Sequence, residues 1–365
     1  MPHPQFDRHK VIMKPLSERP NKTNIERDKI LPDCPPQDLN EGGIRLLEQS
    51  IERIRKARDN GKPVMLTFGA HSIKNCLAPV FIDLMEKGFI THLSTNGAGV
   101  IHDWELSFQG ETSEDVQKGV EHGEFGNWQE TGFNINLAIN VGAYEGKGYG
   151  ESVGAFIMND GVNIPSVDDL KDEIKDVIDS DPQKAAAASD LIYIIERFKL
   201  AAGKYEVKHP FKQYSVQAAA YRLGIPFTSH PMIGHDIIYN HPMNYCALLG
   251  RAAERDFLSY ANSVNQIDGG VYLSIGSAVM SPMIFEKSLS ISQNVAIQEG
   301  KHFDNHYILV VDLAKSDWDW SQGEPPEDNP AYYLRYNKSF SRMGGTMRYL
   351  SADNRDVLLY LAQNL

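Results

Sequence analysis

The chain of 365 residues carries 36 Lys and Arg against 48 Asp and Glu, a formal charge of −12, and 42% of it is hydrophobic. That supplies a core and excludes wholesale disorder, and the acidic balance argues against nucleic-acid binding and against docking on anionic membrane. No apolar run reaches the ~18–20 residues of a membrane span; residues 1–5 open no signal-peptide core, and Cys34, Cys76 and Cys246 form neither a disulfide framework nor a zinc pattern, so a cytoplasmic protein with reduced thiols is expected.

Residues 1–40, rich in proline and charge, read as an extended arm packed on a body or a neighbouring subunit. From Leu39 the apolar positions Ile44, Leu46, Leu47, Ile51 and Ile54 recur at helical spacing, and Asn60-Gly61 stops that helix. A strand is predicted over Pro63–Phe68, the loop Gly69-Ala70-His71-Ser72 follows, and a helix over Ile73–Glu86. A second strand over Phe89–Ser94 leads into Thr95-Asn96-Gly97-Ala98-Gly99 and a helix from Val100 to about Leu106. Residues 110–215 are harder to read; Thr112 to Asp115 starts a helix, and Val167–Ile178 and Pro182–Leu200 are helical.

Strand–loop–helix alternation then returns. Strands are predicted at Ile225–Thr228, Val271–Ile275 and Tyr307–Asp312, with a helix after Pro282. Asp317–Asn329 is an acidic loop, and a helix from Asn354 to about Ala362 closes the chain. Strands linked through helices imply a parallel sheet with helices on both faces, a Rossmann-like α/β fold. One such domain over residues 41–365 is expected, preceded by the arm.

In such a sheet, ligands sit at the carboxyl ends of the strands, where helix starts offer unpaired N–H groups. The loops at Gly69-Ala70-His71, Asn96-Gly97-Ala98-Gly99, Gly234-His235-Asp236 and Gly276-Ser277 fall there, and each contains glycine. Gly97-Ala98-Gly99 begins like a dinucleotide fingerprint without its third glycine; a tight strand–helix turn is the other reading. His102 opens a helix, where the dipole keeps imidazole neutral and able to accept a proton, with Asp103 or another carboxylate to fix its tautomer. Asp103 as a helix cap beside a surface His102 is the alternative. His230, His235, Asp236 and His241 fall within twelve residues, either as substrate contacts and loop polarity or as metal ligands, although no compact metal signature is present.

Ser94 to Asp103, the strand Ile225-Pro226-Phe227 with Gly234-His235-Asp236, and Asp268-Gly269-Gly270-Val271 resemble motifs of the deoxyhypusine synthase family, in the same order over roughly residues 60–315. The chain is still more similar to an uncharacterised bacterial branch of that family, through Gly69 to Lys74, Asn96 to Asp103 and Gly276 to Val279. The resemblance implies a deoxyhypusine synthase-like NAD-binding fold, a homotetramer, and NAD contacts from Gly69, Ala70, Asn96, Gly97, Ala98 and Gly270; His71, Gly276 and Ser277, in the loops that follow the strands, are expected to bind the cofactor with them. Asp103 and Asp236 match acidic positions of the family's motifs. Ile101 and His102 stand where the family has glutamates, and Ser274 stands where it has a histidine. The Trp-Gly-Lys element with the covalent lysine is missing, Lys338 being the nearest candidate, so deoxyhypusine formation is not expected.

These readings lead to an NAD-dependent enzyme acting on an amine- or hydroxyl-bearing carbon of a small polar substrate such as an amine or amino acid. His102 and Asp103 would serve the chemistry, and His235 and Asp236 would hold the substrate. A non-catalytic nucleotide-binding regulator and a metal-dependent hydrolase are the alternatives.

Overall fold

The computed structural model describes residues 3–365, which group into two compact units. A helical unit takes residues 3–26, Val100–Tyr221 and Pro231–Asp256. A sheet unit takes Arg27–Gly99, Arg222–His230 and Phe257–Leu365. The expected arm is therefore shared, its first part belonging to the helical unit and residues 27–40 to the sheet unit. No helix of the described residues is long and apolar enough to cross a membrane.

The sheet unit is built on six strands: β1 Val64–Phe68, β2 His92–Thr95, β3 Phe227–Ser229, β4 Val271–Ile275, β5 Tyr307–Asp312 and β6 Thr346–Ser351. They lie in the order β6-β5-β4-β1-β2-β3 with every neighbouring pair parallel. Read from the other edge this is 3-2-1-4-5-6, the order of the doubly wound Rossmann fold, which reverses between β1 and β4. Helices Glu41–Asp59 and Ala78–Glu86 pack with Asn354–Asn364. The Phe68 ring centre lies 4.7 Å from that of Phe81 on that side, the two rings tilted by 37°. Across the sheet Met65, Tyr272, Ile308 and Val310 form a core with Phe285 and Phe340. Both faces are thus covered, which is why β1 and β4 are buried at every position.

Local chemistry sets the element ends. Asn40 caps the first long helix, its side chain accepting from the Gly43 N–H at 2.8 Å. The helix expected over Ile73–Glu86 is two, Ala70–Lys74 and Ala78–Glu86. Cys76 breaks it with a left-handed φ of 57°. Cys76 is buried, which pushes its thiol up to about 12. Cys246, by contrast, is exposed at a helix start and not part of the core. Strand β6 was not anticipated: only Met347 and Leu350 of its six residues are buried, and it is an edge strand carrying Arg348.

The helical unit packs Gln129–Tyr144 against Val167–Val177 and Pro182–Phe198 through Leu137, Val141, Leu170, Leu191 and Ile195. Its N-terminal segment is held by Leu16, which is buried, and by a buried ion pair from Arg19 to Glu105.

Candidate functional site

In the sheet unit the loops expected to bind a cofactor do gather at the carboxyl ends of the strands, with one exception. Gly69 and Ala70 follow β1, Asn96, Gly97 and Ala98 follow β2, and Gly276 and Ser277 follow β4. Gly270 precedes Val271 and so lies at the amino end of β4, six residue steps or roughly 20 Å away from Gly276. It cannot share a site with the others. Its glycine is explained locally, because a Cβ there would stand 2.5 Å from the Pro63 carbonyl oxygen.

The switch point between β1 and β4 is closed backbone to backbone. The Gly69 N–H donates to the Ile275 carbonyl at 3.0 Å, and a Cβ on Gly69 would meet the Gly276 oxygen at 2.0 Å. Gly276 itself has φ 59°, and a Cβ on it would strike Asn354. His71 is exposed. The Ser277 hydroxyl accepts from the Ser281 N–H at 3.3 Å.

After β2, the Asn96 side chain accepts from the Gly99 N–H at 3.0 Å and caps the helix Gly97–Gln109. The Gly97 and Ala98 amides belong to the first turn, whose N–H groups have no intrahelical acceptor and suit an anion. The acidic residue that holds a ribose in dinucleotide folds has no counterpart at the end of β2. Thr95 stands there, donating to the Phe68 carbonyl at 2.9 Å. The residues present therefore fit a pyrophosphate at the Gly97 helix start, and they lack the usual ribose acid.

Beneath these loops lies a feature the sequence reading missed. Thr228, Ser94, Thr67 and Ser274 are register partners on four adjacent strands, so a row of hydroxyls crosses the switch point on one face. All four are buried. Tyr272 donates to Thr67 at 2.8 Å, and Tyr260 donates to Tyr272 at 2.8 Å. Ser281 bridges Tyr272 and Ser274. His92 joins Ser263 and Thr228, and His230 joins Thr228. Burial pushes both histidines down to about 3, so each is neutral and acts as a hydrogen-bonding member of the row. No alternating pattern announces such a row; only the pairing of strands far apart in sequence assembles it.

The helical unit holds His102. Arg19 grips Glu105 with two bonds of 2.8 and 2.7 Å, both side chains being buried. Burial raises the Glu105 carboxyl, but the Arg19 charge and hydrogen bonds outweigh it and hold the group below the usual range. An ionised Glu105 can only accept, so Thr112 donates to it at 2.5 Å. The Thr112 oxygen is then the acceptor for His102 Nδ1 at 2.7 Å. His102 Nδ1 consequently carries a proton directed at the Thr112 oxygen. This is the orienting arrangement of a general base, with Thr112 between the imidazole and the carboxylate. Thr131 adds a further bond to Glu105 at 2.9 Å.

Asp103 has a different task from the one expected. Its carboxylate accepts from the Ser215 hydroxyl, the Val216 and Gln217 amides and the Gln217 side chain at 2.6–3.2 Å. It caps the helix Val216–Leu223 and is fully engaged there, so Glu105 through Thr112, and not Asp103, sets the His102 tautomer.

Asp236 and His235 part company: His235 is exposed, whereas burial pushes the Asp236 carboxyl up to about 6. Asp236 Oδ2 and the hydroxyls of Tyr149 and Tyr239 have no hydrogen-bond partner among the described residues. Burial and the Asp236 charge push both tyrosines up. Tyr149, fully buried, and Tyr239 are candidates that sequence inspection did not single out. His241 accepts from the Met243 N–H and meets Gln129. Among the described residues no three His, Cys, Asp or Glu side chains gather as a metal-binding group. Lys338 is paired with Glu324 at 3.0 Å and lies over the Tyr332 ring, and Tyr332 and Glu324 raise its pKa.

Together these features define an α/β protein with a doubly wound parallel sheet and, in its helical unit, a carboxylate–threonine–histidine relay. No family model matches the chain, and no curated protein matches it. Among solved structures, apo ArgZ, an arginine dihydrolase from the ornithine–ammonia cycle in cyanobacteria, is 15% identical with a TM-score of 0.41, over 87% of this chain and 32% of its own. AgrE in ternary complex with ornithine and NAD+ is 16% identical with a TM-score of 0.42, over 90% and 34%. A conserved LOR/SDH protein from Methanococcus maripaludis S2 is 10% identical with a TM-score of 0.42, over 91% and 70%. The chain spans about a third of the length of the first two. Likenesses of this size bear on neither substrate nor cofactor.

Proposed function

We propose that the chain is an NAD-dependent enzyme that oxidises an amine- or hydroxyl-bearing carbon of a small polar substrate. The observation that carries the reading is the 3-2-1-4-5-6 strand order with its β1/β4 switch point, which is the dinucleotide-binding order. NAD, when bound, supplies the hydride acceptor. The Gly97 and Ala98 amides would face its pyrophosphate. His102 Nε2 takes the proton from the substrate's nitrogen or oxygen while Thr112 holds Nδ1–H. Asp236, Tyr149 and Tyr239 receive the substrate's polar group.

The motifs shared with the deoxyhypusine synthases support the cofactor more than the reaction. A lysine that forms an imine needs a lowered pKa, and Lys338 has the opposite environment. The homotetramer implied by that resemblance is part of the same proposal and is read by light scattering. The test is acid precipitation of freshly purified protein with mass spectrometry of the supernatant, then a screen of amines, amino acids and hydroxy acids for NADH formation. Released NAD(H) with turnover supports the reading. NAD(H) without turnover favours the non-catalytic regulator, and neither overturns it.

A further inference from the structure

The Asp268-Gly269-Gly270 turn, left out of the site at the carboxyl ends, borders a cavity of about 370 Å³ at the amino end of the sheet. We propose that this cavity is a second site, for a small multiply charged anion of the oligophosphate class. Three cations reach it from two segments: Arg53 and Lys56, one turn apart on the helix Glu41–Asp59, and Lys62, just before β1. None of the three forms an ion pair among the described residues, whereas Arg45 on the same helix pairs with Glu41. The Arg53 guanidinium lies 5.9 Å from the centre of the Tyr307 ring, which steers its donors.

The one acid in the wall, Asp268, spends an oxygen on the Asp304 and Asn305 amides at 3.1 and 2.8 Å. Three positive charges against one negative leave the cavity at +2 in a chain of −12. A helix C-terminus favours one nearby cation, which accounts for Lys56 but not for Lys62 outside the helix. Gly269 and Gly270 carry no side chain into the space, so the floor stays low. The lining is Lys, Arg, Asn, Asp and Gly with one valine and a single buried aromatic ring, which suits a compact charged ligand better than an apolar one. A forked guanidinium flanked by two point charges matches tetrahedral oxyanions. The volume lies within the range of small-molecule sites.

The test is calorimetric titration of the full chain with inorganic tripolyphosphate at low salt, with citrate as a second anion. The wild type is expected to bind tripolyphosphate in the micromolar range. The triple variant Arg53→Glu, Lys56→Glu, Lys62→Glu is expected to bind about 30-fold more weakly. A matched variant, Arg45→Glu, Arg55→Glu, Lys171→Glu, makes the same charge change at exposed positions outside the cavity and is expected to bind as the wild type does. If the first variant unfolds, Arg53→Gln with Lys56→Gln replaces it and is expected to weaken binding several-fold. No heat at millimolar ligand, or equal loss in the cavity variant and the matched one, overturns the site. Citrate binding as tightly as tripolyphosphate overturns the phosphate class. Because this cavity lies at the opposite end of the strands from Gly97, NAD binding decides nothing about it.

Discussion

Replacing Asp236 by asparagine should make the protein more stable, and the gain should depend on pH. Burial raises this carboxyl from 3.8 to about 6, roughly two units, or about 3 kcal/mol at 1.36 kcal/mol per unit. The sign follows from proton counting. Between the two values the folded chain holds a proton that the unfolded chain has released, so wild-type stability falls as pH rises from about 4 to about 6. At pH 8 the full penalty is present, and asparagine cannot incur it. Residual solvent access lowers the expected gain to about 1–3 kcal/mol at pH 8, shrinking toward zero as the pH approaches 4. Buried His92, His230, His209 and His241, held at about 3 to 4, destabilise the fold in acid. They are common to both proteins and cancel in the difference. Urea unfolding of both at pH 4.5 and 8 reads the effect. A variant less stable than wild type at pH 8, or a difference that ignores pH, refutes the reasoning. A strained carboxylate beside two unpartnered tyrosine hydroxyls is what a binding site that has sacrificed stability should look like.

His102→Ala should lower turnover on the order of 10²–10⁴-fold, and Thr112→Val by less with a shifted pH–rate profile that Thr112→Ser restores; normal turnover in His102→Ala removes it from the base role. Glu105→Gln leaves Arg19 buried without its countercharge and should cost about 3–5 kcal/mol by denaturant unfolding. Gly69→Ala puts a Cβ 2.0 Å from the Gly276 oxygen and should part the β1 and β4 loops. A loss of several kcal/mol in stability is expected, and an unaltered unfolding midpoint contradicts the contact.

The strands Val271–Ile275 and Tyr307–Asp312 were legible because each is a short apolar run buried on both faces. β6 was not, since an edge strand with Thr346, Arg348 and Ser351 has no reason to look apolar. The helix Tyr149–Met158, with two glycines and a serine, hides behind weak propensity, yet every residue from Ser152 to Ile157 is buried. The loops after β1, β2 and β4 could be found from glycines following apolar runs. What those glycines do was not readable: Gly69 and Gly270 relieve backbone contacts with Gly276 and Pro63. His102 was legible as a histidine close to a helix start, but the helix begins at Gly97 and places it in the second turn, beyond the reach of the terminal dipole. Its orienting carboxylate was not, because Glu105 depends on Arg19, 86 residues earlier. Asp103, adjacent in sequence, was the natural choice and is claimed by a helix more than a hundred residues on.

Calorimetric titration of the purified chain with NAD and with NADH tests the central claim most directly. Saturable one-to-one binding in the micromolar range, lost when Ala98→Asp sets a negative charge at the Gly97 helix start, is the predicted result. No heat with either dinucleotide at millimolar concentration would contradict the account and leave the sheet as a shared architecture without its cofactor.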